Sequence, residues 1–239
     1  MASQCRRRPF VLVVDGVIAS GKTSLVRNCL LTGLREQGLH VVEFPEPVDE
    51  WKASGRLAQF YNDPSRRAYQ FQTRAFHDRI QLWCDLYEMH ADKADVIVAE
   101  RSIFTDVVFV ESLAAQNLFD STEREDYYRL WNMWKRLLPT PVDCFMYLRP
   151  SLDECMRRLR NRDRAEERTA VDLNYQQLLL HYHDALFCKS SELLPHDNVL
   201  ELRTDEDFVS HSPEASSVRE RIVGLVMEKY QTYCLSAIL

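Results

Sequence analysis

The segment that most constrains this chain is Gly16-Val17-Ile18-Ala19-Ser20-Gly21-Lys22-Thr23-Ser24. It follows the apolar run Phe10–Asp15 without a gap and leads into a stretch with helical spacing. The pattern is GxxxxGK[ST] between a strand and a helix. Gly16 and Gly21 permit a tight turn whose N–H groups face an anion, and the helix that follows adds the positive end of its dipole. Lys22 supplies a compact charge for the β- and γ-phosphates, and the Thr23 hydroxyl is a ligand for Mg²⁺. By average composition the bare pattern arises by chance in roughly one chain of this size in a hundred. With strand and helix correctly placed, the segment predicts a nucleoside triphosphate site.

Four more apolar, β-rich runs follow at 40–44, 95–100, 142–148 and 198–202. They are nearly continuous rather than alternating, as expected for strands covered on both faces. Helical spacing of apolar residues fills 22–37, 64–93, 102–116, 123–138, 151–161, 172–193 and 214–231. Five buried strands joined by helical crossovers predict an α/β fold with a parallel, doubly wound sheet. No repeat, low-complexity segment or linker interrupts the 239 residues. That length suits one domain spanning 1–239.

Thirty basic against thirty-six acidic residues give a formal net charge of −6. Broad binding to nucleic acid or to a membrane surface needs a positive field, so neither is expected. No apolar run approaches the ~18–20 residues of a membrane span. The N-terminal MASQCRRRPF is followed by too short an apolar run for a signal peptide, and a strand so close to Met1 argues against a transit peptide. The seven cysteines are odd in number and show no CxxC spacing. They read as reduced, buried thiols of a cytoplasmic protein rather than zinc ligands or a disulfide framework.

Three further constellations carry chemistry. The second strand ends in Pro45-Glu46-Pro47-Val48-Asp49-Glu50-Trp51. Ligands bind at the carboxyl ends of strands in such sheets, so a carboxylate there, stiffened by flanking prolines, can serve as base to a hydroxyl nucleophile. The third strand ends in Glu100-Arg101-Ser102, an acid to hold Mg²⁺ beside a cation to orient the nucleophile. Residues 157–168 hold six arginines. Guanidinium groups grip phosphate in bidentate fashion, and an Arg-rich segment closing over ATP excludes water. The blander alternatives are a solvated loop, a strand-end ion pair and an RNA-binding stripe, the last without interleaved aromatics.

Taken together, the phosphate loop, Pro45-Glu46-Pro47-Val48 with Trp51, Tyr61, Phe71-Gln72-Thr73, Glu100-Arg101-Ser102 and the arginine segment resemble the deoxynucleoside kinases, cellular and viral. The resemblance is strongest to the deoxycytidine and deoxyguanosine kinase branch and runs from the phosphate loop to Glu206-Asp207-Phe208. It implies an ATP- and Mg²⁺-dependent kinase of P-loop fold, with a lid at about 158–170, acting in nucleotide salvage on the 5′-hydroxyl of a deoxynucleoside. It also implies a homodimer built on a helix bundle, and inhibition by the end-product triphosphate. By the same resemblance Glu46 is the general base and Arg101 contacts the hydroxyl and the base, while Thr23 and Glu100 hold the metal shell. Tyr61 and Glu167 bind the sugar 3′-hydroxyl. Arg158, Arg162 and Arg164 are lid arginines, and Asp207 and Phe208 belong to the donor-base site. Trp51 lines the nucleoside site, Phe71 stacks on the nucleobase, and Gln72 reads its edge.

Ala75, Arg79 and Asp106 occupy the family positions that face the nucleobase. A buried Asp kept ionised by Arg79 only accepts hydrogen bonds, so it selects an exocyclic amino group and repels thymine O4. Deoxycytidine and purine deoxynucleosides are therefore expected over thymidine. Val17, Val107, Val110 and Phe60 depart from the family pattern, an aromatic being lost at 110 and gained at 60. The competing readings are a thymidylate-kinase-like monophosphate kinase, a thymidine-preferring or broad deoxynucleoside kinase, and a P-loop switch protein. The last lacks an NKxD-type motif here.

Overall fold

The computed structural model describes residues 8–138, 142–161, 170–187, 194, 198–203, 205–206 and 208–236. Five strands, β1 Phe10–Asp15, β2 Val41–Phe44, β3 Val96–Glu100, β4 Cys144–Leu148 and β5 Val199–Leu202, form one parallel sheet in the order β2-β3-β1-β4-β5. This is the α/β architecture expected, with β1 matching its apolar run and the other strands a residue or two shorter than theirs. Leu12 of β1 pairs with Val98 on one side and Cys144 on the other, which makes β1 the central strand.

β1, β3 and β4 are buried throughout. The edge strands correct the expectation of full cover: two of the four residues of β2 and all four of β5 are not fully buried. Only one side of each carries a ladder.

Among the described residues the helices are α1 Lys22–Leu25, continued by a π-helical stretch Val26–Leu30 into α2 Leu31–Glu36, then α3 Val48–Ala53, α4 Arg56–Asn62, α5 Pro64–His90, α6 Ile103–Ala115, α7 Ser121–Leu137, α8 Leu152–Arg160, α9 Leu173–Phe187 and α10 Pro213–Ser236. α3 and α4 lie where the sequence pattern predicts no helix. Pro47 stands just before α3, where its missing N–H costs no helical bond. Gly55, at φ +69, turns the chain between the two helices. Six or seven residues are too few for an apolar period to show.

Alternation along β1 divides the core. Phe10, Leu12 and Val14 pack with Leu25, Leu30, Leu34, Ile222 and Val226 on one face. Val11 and Val13 pack with Ile97, Phe145, Tyr147, Leu159, Leu179 and Phe187 on the other. Each such buried side chain contributes about 1.5–3 kcal/mol. A third cluster, with Trp51, Phe60, Phe71, Phe76, Tyr127 and Trp131, joins α3–α7 and forms the far wall of the site.

Among the described cysteines, Cys29, Cys144 and Cys155 are buried and free, whereas Cys84 and Cys234 are free but only half-buried. Cys5 and Cys188 lie outside the described residues. No described helix is long and apolar enough to cross a membrane.

Candidate active site

The carboxyl ends of β1, β2 and β3 open into a cavity of about 410 Å³. The phosphate loop gives it Ile18, Ala19, Gly21, Lys22, Thr23 and Ser24. Gly16 is at φ +148, and a Cβ there would lie 2.4 Å from Leu148 O. Gly21 is at φ +101 and packs against Arg158 and Phe208. Only glycine satisfies both the dihedrals and the space. Val17 and Ser20 are buried inside the loop. Lys22 Nζ is folded back onto Gly16 O at 3.0 Å, Val17 O at 2.9 Å and Ser20 Oγ at 3.4 Å. Burial lowers this ammonium to about 7, with the charge of Arg101 acting in the same direction.

The Thr23 hydroxyl donates to Glu100 Oε2 at 2.9 Å. Burial, then the nearby Glu46 charge, raises the Glu100 carboxyl. A hydroxyl and a carboxylate are the hard oxygen donors that Mg²⁺ takes, the rest of its shell being water and phosphate. Among the described residues no group of three or more His, Cys, Asp or Glu is clustered to hold a metal. Thr23 and Glu100 thus fit a metal shared with phosphate rather than a protein-only cage.

Glu46 lies between two guanidinium groups, with Oε1 3.0 Å from Arg79 Nη2 and 3.2 Å from Arg101 Nε. Arg79 also pairs through Nη1 with Asp106 Oδ1. Burial works to lower Arg79, but Asp106 and Glu46 hold it above its ordinary value. Asp106 is 1% exposed. Burial pushes its carboxyl up to about 6, against the pull of Arg79. Its second oxygen, Oδ2, is buried with no hydrogen-bond partner among the described residues. Ala75 and Arg79 line the cavity, whereas Asp106, paired with Arg79, is not among its lining residues.

Arg101 sits at φ +64, and its Nη1 donates to Asp15 Oδ1 at 3.2 Å. The guanidinium lies 4.7 Å over the Phe109 ring. Asp15, fully buried, also accepts from Gly16 N–H at 2.7 Å and from the Thr105 hydroxyl, and His183 Nε2 is 3.5 Å away. Burial alone would raise Asp15, but His183 and Arg101 outweigh it and hold the carboxyl below its ordinary value. One carboxylate thereby ties the first glycine of the loop to the arginine at the end of β3.

The apolar wall contains Trp51, Phe60, Tyr61, Phe71, Gln72 and Tyr175. Phe60 stacks on Phe71 at 4.8 Å and 9°, and Trp51 meets Phe71 edge-on at 5.6 Å. Val107 and Val110 are buried in the helical core and do not line the cavity. The neighbouring Phe109 supplies an aromatic to the wall instead.

Arg158 lies on the helix expected at 151–161. It belongs to α8, where Nε donates to Glu154 Oε1 at 2.7 Å and Nη1 to Ser20 O at 2.8 Å. It lines the cavity and is held against the phosphate loop from the last turns of α8. Phe208 is 2% exposed and packed against Gly21 and the first core face rather than standing open. Arg162, Arg164, Glu167 and Asp207 lie outside the described residues. Sequence reasoning missed Asp15, Thr105, Phe109, Tyr175, Gln176 and His183. Of these only Asp15 left a signal, as a charge closing an otherwise apolar strand.

The chain matches the family model for deoxynucleoside kinase over residues 12–228. It is 32% identical to a probable deoxycytidine kinase of fowlpox virus (strain NVSL), over 91% of this chain and 88% of that one. It is 29% identical to deoxycytidine kinase 2 of Gallus gallus, over 86% of each chain. It is also 30% identical to the mitochondrial thymidine kinase 2 of Homo sapiens, over 79% of this chain and 68% of the other. The phosphate loop, the flanking carboxylates and this match over most of the chain lead to one conclusion: the chain belongs to the deoxynucleoside kinase family and is an ATP-dependent deoxynucleoside kinase.

Proposed function

We propose that the enzyme transfers the γ-phosphoryl group of ATP to the 5′-hydroxyl of deoxynucleosides bearing an exocyclic amino group, deoxycytidine and purine deoxynucleosides, in preference to thymidine. The observation that carries the base preference is the buried Arg79–Asp106 pair, in which Asp106 Oδ2 has no hydrogen-bond partner among the described residues. An ionised carboxylate there accepts from an amino N–H and repels a carbonyl, and leaving it unmatched costs about 1–3 kcal/mol or more.

Glu46 takes the proton of the 5′-hydroxyl, with Arg79 and Arg101 orienting its carboxylate. Lys22 exchanges its contacts with loop carbonyls for phosphate oxygens, beside the N–H groups of the loop. Arg158, Arg162 and Arg164 serve the phosphates, and Asp207 and Phe208 the donor base. Tyr61 and Glu167 take the 3′-hydroxyl, while Trp51, Phe71 and Gln72 enclose the nucleobase and exclude water. Thr23 and Glu100 would hold Mg²⁺, which when bound neutralises phosphate charge. Catalysis is then positioning plus electrostatic stabilisation.

The protein is further proposed to be a single cytoplasmic domain with a lid at about 158–170, and a homodimer through α5 and α7. Exposed Met89, Met133 and Leu137 near the ends of those helices support such a face. The likeness to thymidine kinase 2 supports a second reading, a thymidine-accepting or broad enzyme. A monophosphate acceptor is disfavoured by Glu46, a carboxylate where an acceptor phosphate would need cations.

Assaying ATP–Mg²⁺ with deoxycytidine, deoxyadenosine, deoxyguanosine, thymidine, dCMP and dTMP tests these readings together. Thymidine as best acceptor would discard the Asp106 argument, and turnover of monophosphates alone would discard the role given to Glu46.

A further inference from the structure

Ala19, inside the phosphate loop, stands at φ +60, a region that L-residues avoid and glycine enters freely. Glycine occupies positions 16 and 21 but not 19. The peptide just before it is held from behind, because Gln176 Nε2 donates to Ile18 O at 2.8 Å. Gln176 is fully buried. It does not line the cavity, although its neighbour Tyr175 does. Its backbone is aimed by Asp172, whose Oδ1 accepts from Tyr175 N–H at 2.7 Å and whose carbonyl accepts from Gln176 N–H at 3.1 Å.

In a planar trans peptide the C=O and the following N–H point in opposite directions. A bond that draws Ile18 O toward Gln176 therefore turns Ala19 N–H toward the cavity that Ile18 and Ala19 line. The amide orientation follows from chemistry, since the flipped side chain would set Oε1 against a carbonyl oxygen. With Nε2 so used, Oε1 is left buried without a hydrogen-bond partner among the described residues. A methionine or leucine would fill the space without that unsatisfied acceptor. Packing alone does not account for glutamine here.

We propose that Gln176 is a positioning residue for the phosphoryl donor, fixing the Ile18–Ala19 peptide so that Ala19 N–H faces the triphosphate. This rests on the reading of Gly16–Thr23 as the ATP site. It is tested with Gln176→Met in the full-length enzyme, by titrating ATP directly and by measuring KM for ATP and for the preferred nucleoside. ATP affinity should fall about 5- to 10-fold, the size of one neutral hydrogen bond. The nucleoside KM should stay within about twofold, and the melting temperature without ligand should not drop. Gln176→Leu, a second apolar replacement of similar reach, should show the same selective loss. Adding Ala19→Gly to Gln176→Met should restore ATP affinity at least in part, because glycine holds a left-handed conformation without help.

Unchanged ATP affinity, parallel losses for ATP and nucleoside, or no recovery on adding Ala19→Gly would each overturn the proposal. A wild-type enzyme that fails to bind ATP would overturn the reading of the loop itself, and the positioning role with it.

Discussion

If Asp106 reads the nucleobase, base choice should change with pH. Burial pushes the Asp106 carboxyl to about 6, with Arg79 pulling the other way. An ionised Asp106 only accepts and so favours an amino N–H. A protonated Asp106 can donate, and thymine O4 becomes a partner instead of a repelled one. The sign follows: lowering the pH through about 6 should favour thymidine. With a pKa of about 6, roughly one enzyme in a hundred is protonated at pH 8 and about three in four at pH 5.5. The ratio of protonated to ionised forms rises tenfold per pH unit. The ratio of kcat/KM for thymidine to that for deoxycytidine should therefore climb by up to about 300-fold over that range. Taking the ratio of two acceptors on one enzyme cancels groups whose ionisation affects turnover alike for both, such as Lys22 in the phosphate loop. The assay is competitive phosphorylation of the two nucleosides at saturating ATP–Mg²⁺ from pH 5.5 to 8. Asp106→Asn, an amide that donates and accepts at any pH, should flatten the profile. A flat profile in the wild type, or the same slope in Asp106→Asn, would refute the assignment.

Glu46→Gln should lower kcat by roughly 10²–10⁴-fold while leaving ATP affinity nearly unchanged in direct titration, because the amide keeps its place beside Arg79 and Arg101 but cannot take a proton. Replacing Arg79 by Met together with Asp106 by Ala should raise thymidine relative to deoxycytidine, and an unchanged ratio of kcat/KM would remove the pair from base reading. Gly16→Ala should abolish ATP binding, since its Cβ would lie 2.4 Å from Leu148 O; a variant that still retains ATP on a filter would contradict the loop geometry.

What the sequence disclosed about the site was what is local in the chain. Gly16–Thr23, Glu46 and Glu100-Arg101 are short segments whose position at strand ends follows from the strand pattern alone. Asp15, Thr105 and His183 come together only through the packing of β1, α6 and α9, and nothing in their own neighbourhoods marks them. Phe109 was passed over because one residue along a helix decides which side chain reaches the cavity, and that register depends on how α6 sits against the sheet. The helix carrying Arg158 is legible from its apolar spacing, with Cys155 and Leu159 buried, but the bond from Arg158 to Ser20 O joins residues far apart in the chain and leaves no local mark. The exposure of β5 was hidden because an apolar run does not say whether a strand has neighbours on one side or two.

The sheet order has a consequence for how the enzyme becomes competent. The phosphate loop occupies fewer than ten consecutive positions, yet the strand that feeds it is held by Val98 on one side and Cys144 on the other, and Gly16 is pressed against the backbone of Leu148. Contacts so distant in sequence form late, after the chain has met the entropy of closing long loops. A nascent chain emerging from the ribosome carries the whole motif early but cannot shape it until β4 has been made and docked. Nucleotide binding thus reports completed folding through Leu148, and no fragment ending before β4 should retain ATP.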